Sequence, residues 1–188
     1  MQSIFKNTPM RLMVIGIVSF SFCLLAGSAS AEIEIEVDPF AYALKGHSFH
    51  TIYSGDKNRF DLGVFALELP EDGENENFTV IFNGYGVKWD FFGKSINGGF
   101  WGIQASSTKM NFEYNDPDDG LSSETTTRVV NNYGIRLGYR FGTDGFYLTP
   151  WISVDKNEMI GEEVELSGVK YKLKPISIFP TVHLGYRF

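Results

Sequence analysis

Ser48, His50 and Asp61 are the residues whose types and spacing come nearest to a chemical site. Ser48 and His50 are two apart, so on an extended chain they share a face. Asp61 follows across a turn-forming stretch, Gly55-Asp56-Lys57-Asn58. A serine, an imidazole and a carboxylate in contact could do nucleophilic chemistry, with the histidine as base and the acid as its orienter. His183 is a second candidate ligand or base, but no Cys or carboxylate stands near it at metal-ligand spacing. Asn115-Asp116-Pro117-Asp118-Asp119-Gly120 has a calcium-loop flavour, yet Pro117 takes a ligand position and no bidentate glutamate follows. A solvated turn is expected there, and no metal or cofactor is implied. The remaining polar constellation is Lys88, Asp90, Arg136, Arg140, His183 and Arg187, all on rows that otherwise hold Gly, Asn or Thr.

The elements that must carry these residues are strands. In the last twelve residues Ile178, Val182, Leu184, Tyr186 and the terminal Phe188 alternate with Phe179, Thr181, His183, Gly185 and Arg187. Period-two alternation is what a strand with two unlike faces requires. The pattern recurs over His47–Tyr53, Arg59–Leu69, Phe78–Phe92, Gly99–Tyr114, Val129–Phe141 and Phe146–Asp155. Pairing across the first turn sets Phe49, Thr51 and Tyr53 against Val64, Leu62 and Phe60, an apolar set. Ser48, His50, Asp61 and Gly63 then share the opposite face. Glu32 to Val37 alternates as well, and from Asp38-Pro39 to Leu44 the chain either extends that strand or forms a short helical cap. A small hairpin is expected within Lys156–Lys174.

Composition narrows the class. Residues 1–31 read as a secretory signal: Lys6 and Arg11, the fourteen-residue apolar run Leu12–Leu25, then Ala29-Ser30-Ala31 as the cleavage site. Phe22 before Cys23 argues against lipidation. Residues 32–188 form a single domain with no cysteine, so no disulfide framework supports it. The whole chain has 16 Lys and Arg against 23 Asp and Glu; the leader takes Lys6 and Arg11, leaving 14 against 23, net −9. Such an acidic chain is not a nucleic-acid binder.

An internal echo orders the strands. Leu137-Gly138-Tyr139-Arg140-Phe141 returns as Leu184-Gly185-Tyr186-Arg187-Phe188, and Tyr85-Gly86-Val87-Lys88 is similar to Tyr133-Gly134-Ile135-Arg136. Equivalent strands run the same way, so the turns after Phe92 and Phe141 share one end. The polar stretches 70–77, 115–127 and 156–174 share the other. Eight strands follow if residues 32 to about 44 supply the first. Dropping that strand and promoting 163–173 also gives eight but inverts every loop, and the first count is preferred.

The terminal aromatic, the row behind it and a mature length of 157 residues resemble the small eight-stranded outer-membrane barrels of Gram-negative bacteria. The expected fold is all-β: a closed antiparallel eight-stranded transmembrane β-barrel in the cell outer membrane, apolar rows toward lipid and polar rows inward. The resemblance implies a monomer surrounded by outer-membrane lipid and lipopolysaccharide. It also implies that Leu184, Tyr186 and Phe188 are read by the outer-membrane insertion machinery. A role in envelope structure or surface interaction is the expected function, with a narrow porin-like passage as an alternative. A Ser-His-acid set on a barrel also resembles lipid A deacylases, which would make the protein an acyl hydrolase. That family carries His-x-Ser rather than Ser-x-His, and here the set points into the lumen, away from lipid. Sequence therefore favours a hydrogen-bonded polar lumen filled by side chains, with Asp90 and Asp61 as partners of its cations.

Overall fold

The computed structural model describes residues 32–69, 75–115 and 124–188. Residues 1–31, expected to be a secretory signal, and Asp116–Gly120, expected to be a solvated turn, lie outside the described residues. The elements are β1 (Glu32–Val37), α1 (Pro39–Ala43), β2 (His47–Ser54), β3 (Asn58–Leu69), β4 (Phe78–Phe92) and β5 (Gly98–Tyr114). They continue with β6 (Glu124–Arg140), β7 (Gly145–Ile160), β8 (Glu165–Leu166), β9 (Val169–Lys170) and β10 (Ile176–Arg187). Among the described residues eight strands close into an antiparallel ring in the order β1-β10-β7-β6-β5-β4-β3-β2, and β8 pairs with β9 as a separate hairpin. Closure satisfies the backbone groups that an open sheet would leave at its edges. Phe49, Thr51 and Tyr53 register with Val64, Leu62 and Phe60.

β1 is shorter than an extension to Leu44 would make it. Asp38 stops it: its carboxylate accepts from the Phe40 amide at 2.9 Å and caps α1, and Pro39 takes the first helical turn. The seam between β1 and β10 therefore spans only four registered pairs, Glu34–Arg187 to Val37–Leu184. Above it β10 pairs on one flank alone, with β7, and α1 touches β10, β2 and β3 across the interruption. Pro180 lies in that part of β10, where a residue lacking an N–H is tolerated because one flank has no ladder.

Around the turn end, the wall is apolar outside. Trp89, Trp101, Tyr139, Phe141, Phe146 and Phe188 are exposed there. Phe91 stacks on Trp101 at 4.6 Å between centroids, and Tyr186 meets both Phe146 and Phe188 edge-on. Above this girdle Leu62, Val64, Ile103, Ile135, Leu137, Ile152 and Val154 continue the exposed apolar surface. A surface of this kind is stable only against lipid.

Toward the loop end the alternation inverts. On β5 the outward row changes from Trp101, Ile103 and Ala105 to Ser107, Lys109, Asn111 and Glu113. The inward row changes from Gly102, Gln104 and Ser106 to Met110, Phe112 and Tyr114. β4 and β6 change at the same level, so Phe78, Val80, Met110, Phe112, Tyr114 and Val130 form an inner core. The β8–β9 hairpin adds Val164 and Leu166 to it. This part obeys the rule of a protein in water, apolar inside and polar outside. It also explains why β6 begins at Glu124 and β7 runs on to Ile160, beyond their predicted limits. Above the bilayer the outward row need not be apolar, so the strands continue through residues that read as loop.

Candidate functional site

The lumen has two storeys. At the turn end it is filled by charge. Glu34 accepts from Arg140 Nη1 at 2.7 Å and from the Tyr147 hydroxyl at 2.8 Å, with Arg59 Nε at 3.5 Å. Glu36 pairs with Arg59, accepts from the Thr149 hydroxyl at 3.3 Å, and lies 2.8 Å from His183 Nδ1. Arg136 Nε lies 3.3 Å from Asp90 Oδ1, and its guanidinium sits 4.1 Å from the Trp151 ring centroid. Asp61 receives Lys88 Nζ at 3.0 Å. Four carboxylates thus meet Arg59, Lys88, Arg136 and Arg140, a balance that buried charge demands. Arg187 closes the rim, paired with Glu32 and donating to the Thr143 carbonyl at 3.0 Å.

The predicted cations all face inward, but their partners are only partly those expected. Asp90 meets Arg136 and Asp61 meets Lys88, whereas Arg140 and Arg187 turn to Glu34 and Glu32 on β1. Glu34, Glu36 and Arg59, the centre of the network, escaped sequence reasoning. The signal was present in Glu32-Ile33-Glu34-Ile35-Glu36: if the isoleucines face lipid, the glutamates must face in and require cations. His183 finds its carboxylate on β1, across the seam, where no spacing rule would look.

The upper storey corrects a second expectation, that side chains fill the whole lumen. A cavity of about 660 Å³ lies above the charged floor. Phe65, Leu67, Phe78, Phe82, Met110 and Val130 wall it, and Tyr171 and Leu173 reach it from the chain after β9. Ser48, His50, Lys88, Trp151, Asp155 and His183 form its base. The inverted alternation produces the apolar walls. Small residues beneath them, Gly86 and Ser106, also line the space.

At that base the three residues singled out by spacing come together. His50 Nε2 lies 3.0 Å from Ser48 Oγ, and His50 Nδ1 lies 2.8 Å from Asp61 Oδ1. Ser48 and His50 are neighbours on the inner face of β2, and Asp61 on β3 registers with Ile52. Gly63 stands opposite His50, and a Cβ there would come 2.1 Å from His50 Nδ1. The ring therefore lies over bare backbone to reach Asp61. Lys88 Nζ, 3.2 Å from the same ring nitrogen, completes the cluster. Among the described residues no group of three His, Cys, Asp or Glu side chains is arranged to hold a metal.

No protein-family model matches this chain, and no curated protein matches it. Two solved structures are similar to it. One is the N-terminal β-barrel domain of Pseudomonas aeruginosa OprF, with 16% identity over 86% of this chain and 98% of that one and a TM-score of 0.47. The other is a major outer membrane protein from Thermus thermophilus, with 14% identity over 85% of this chain and 100% of that one and a TM-score of 0.49. On its own ring of strands and its own lipid-compatible exterior, the chain has the fold of a small eight-stranded outer-membrane barrel.

Proposed function

We propose that this protein is an integral outer-membrane barrel that holds an elongated apolar molecule in the loop-end half of its lumen. The observation that carries the reading is the 660 Å³ cavity with aromatic and aliphatic walls above a polar base. Its size falls in the range of ligand sites, and a few convergent polar groups at one end would orient an amphiphile. The ion pairs beneath it argue against the alternative of a narrow passage, because ions would have to displace buried guanidinium–carboxylate pairs. The interruption between α1 and β10 gives the cavity a flank toward the bilayer: Ala41 on one side and Ile178 and Phe179 on the other all line it. Lipid and lipopolysaccharide would surround the apolar belt. The polar outer face of the loop end would stand in water outside the cell, and both ends of residues 32–188 in the periplasm.

Protein held in an amphipathic polymer should bind a fluorescent long-chain fatty acid saturably. Met110→Trp, which fills the cavity from its wall, should abolish that binding while the barrel keeps its heat-modifiable migration. Equal binding by the variant and the parent would sink the reading. In planar bilayers the protein should show no steady conductance.

A further inference from the structure

We propose that Ser48, His50 and Asp61 form a hydrolytic site at the base of the cavity, acting on esters of single acyl chains. The inference rests on the pocket proposed above and names the chemistry at its polar end. Sequence reasoning sets the three residues aside because they face away from the lipid around the barrel. That objection falls once the lumen itself is apolar above them: an acyl chain along Phe65, Phe82 and Met110 would bring its carboxyl end to Ser48 and His50, which line the same cavity.

The arrangement has a nucleophile, its base and a carboxylate that orients the base. A nucleophile and its base are 3.0 Å apart, and base and orienting carboxylate 2.8 Å apart. In the tautomer that carries its proton on Nδ1 and donates it to Asp61, Nε2 accepts the serine proton. Asp61 is itself held by Lys88 at 3.0 Å. The absence of a side chain at Gly63 lets the ring lie between its two partners.

The step balances with water as the co-reactant. Ser48 Oγ attacks the ester carbonyl carbon as its proton passes to His50 Nε2. The C–O bond to the alcohol breaks, and His50 protonates the leaving oxygen. Water then adds to the acyl-serine with His50 as base, releasing the fatty acid and restoring Ser48. Ser48 and His50 are the catalytic residues, and Asp61 is a positioning residue.

The test uses the full barrel in amphipathic polymer, with p-nitrophenyl esters and alkyl fluorophosphonates of short and long chain. A fluorophosphonate forms an O–P bond to an activated serine and expels fluoride, so mass spectrometry locates it. We expect labelling at Ser48 and ester cleavage that falls to background in Ser48→Ala. Asp61→Asn should lower kcat by about 10²–10⁴-fold with KM nearly unchanged, as loss of an orienting carboxylate does. Met110→Trp should slow the long-chain probe and spare the short one. Fatty-acid binding measured on Ser48→Ala separates the two readings. Saturable binding with no label at Ser48 and no cleavage above the Ser48→Ala background overturns the hydrolytic site and leaves the pocket standing. Labelling at Ser48 by the short probe, without fatty-acid binding, overturns the acyl-chain assignment.

Discussion

Arg140 Nη1 lies 2.7 Å from Glu34 Oε1 although 106 residues separate them, and both side chains are fully buried. The pair spans the lumen from β6 to β1, two strands that are not neighbours in the ring. It ties opposite walls together through the interior, where a hydrogen-bonded sheet can only tie adjacent ones.

Glu34 also faces Arg59 and Arg187, at 3.5 and 3.6 Å, and accepts from Tyr147. Glu34→Gln keeps the shape but removes the charge that these guanidiniums share. Breaking a buried pair from one side costs about 3–5 kcal/mol. Urea titration in lipid vesicles should show the midpoint falling accordingly. An unchanged midpoint would mean that Glu36, Glu32 and hydration suffice for these arginines without the Glu34 charge.

How far this network was legible follows from what alternation carries. Period two assigns each residue to a face, so the ring, the β2–β3 register and the inward set of Lys88, Asp90, Arg136 and His183 could be read directly. It says nothing about which inward residues meet across the lumen, because that depends on closure and tilt; hence Glu34 and Glu36 were missed as partners. Nor does it reveal where the bilayer stops. Phe112 on β5 and Leu137 on β6 are both apolar residues of an alternating row, yet one is buried inside and the other exposed outside. Only the level along the strand distinguishes them.

Arg136 and Leu137 test the faces as adjacent residues. Arg136→Leu strands Asp90 without its cation and removes the contact with Trp151, and should destabilise by about 3–5 kcal/mol. Leu137→Arg places a guanidinium against lipid and should cost ~2–4 kcal/mol if that level is near the midplane. The two should differ in kind: the first lowers the urea midpoint of inserted protein, the second slows insertion itself. A stabilising Arg136→Leu together with a harmless Leu137→Arg would reverse the faces.

The hairpin of β8 and β9 is held to the lumen core by Val164 and Leu166, both buried. Val164→Asp would bury an unpaired carboxylate, so the hairpin should leave its seat rather than the barrel unfold. Trypsin should then cut after Lys170 and Lys172 much faster than in the parent, with heat-modifiable migration retained. Equal protection in both proteins would show that the hairpin is secured from elsewhere.

The last prediction concerns the seam. β1 and β10 share four registered pairs, far fewer than β5 and β6, whose ladder runs from Gly98–Arg140 to Tyr114–Glu124. One further contact extends the seam: the amide of Phe188 donates to the Ile33 carbonyl at 3.2 Å. The Phe188 ring packs edge-on against Tyr186, which packs against Phe146 on β7, so the residue joins the hydrogen-bonded closure to the aromatic girdle. Deleting it shortens the weakest ladder in the ring and strips the girdle at the same point. The expected outcome is a smaller heat-modifiable, membrane-inserted fraction in cells. Refolding in vesicles without assembly factors separates two causes. Loss in both settings means that the seam cannot close, whereas loss in cells alone means that Leu184, Tyr186 and Phe188 are read by the insertion machinery. Normal insertion in both would show that the four β1–β10 pairs suffice.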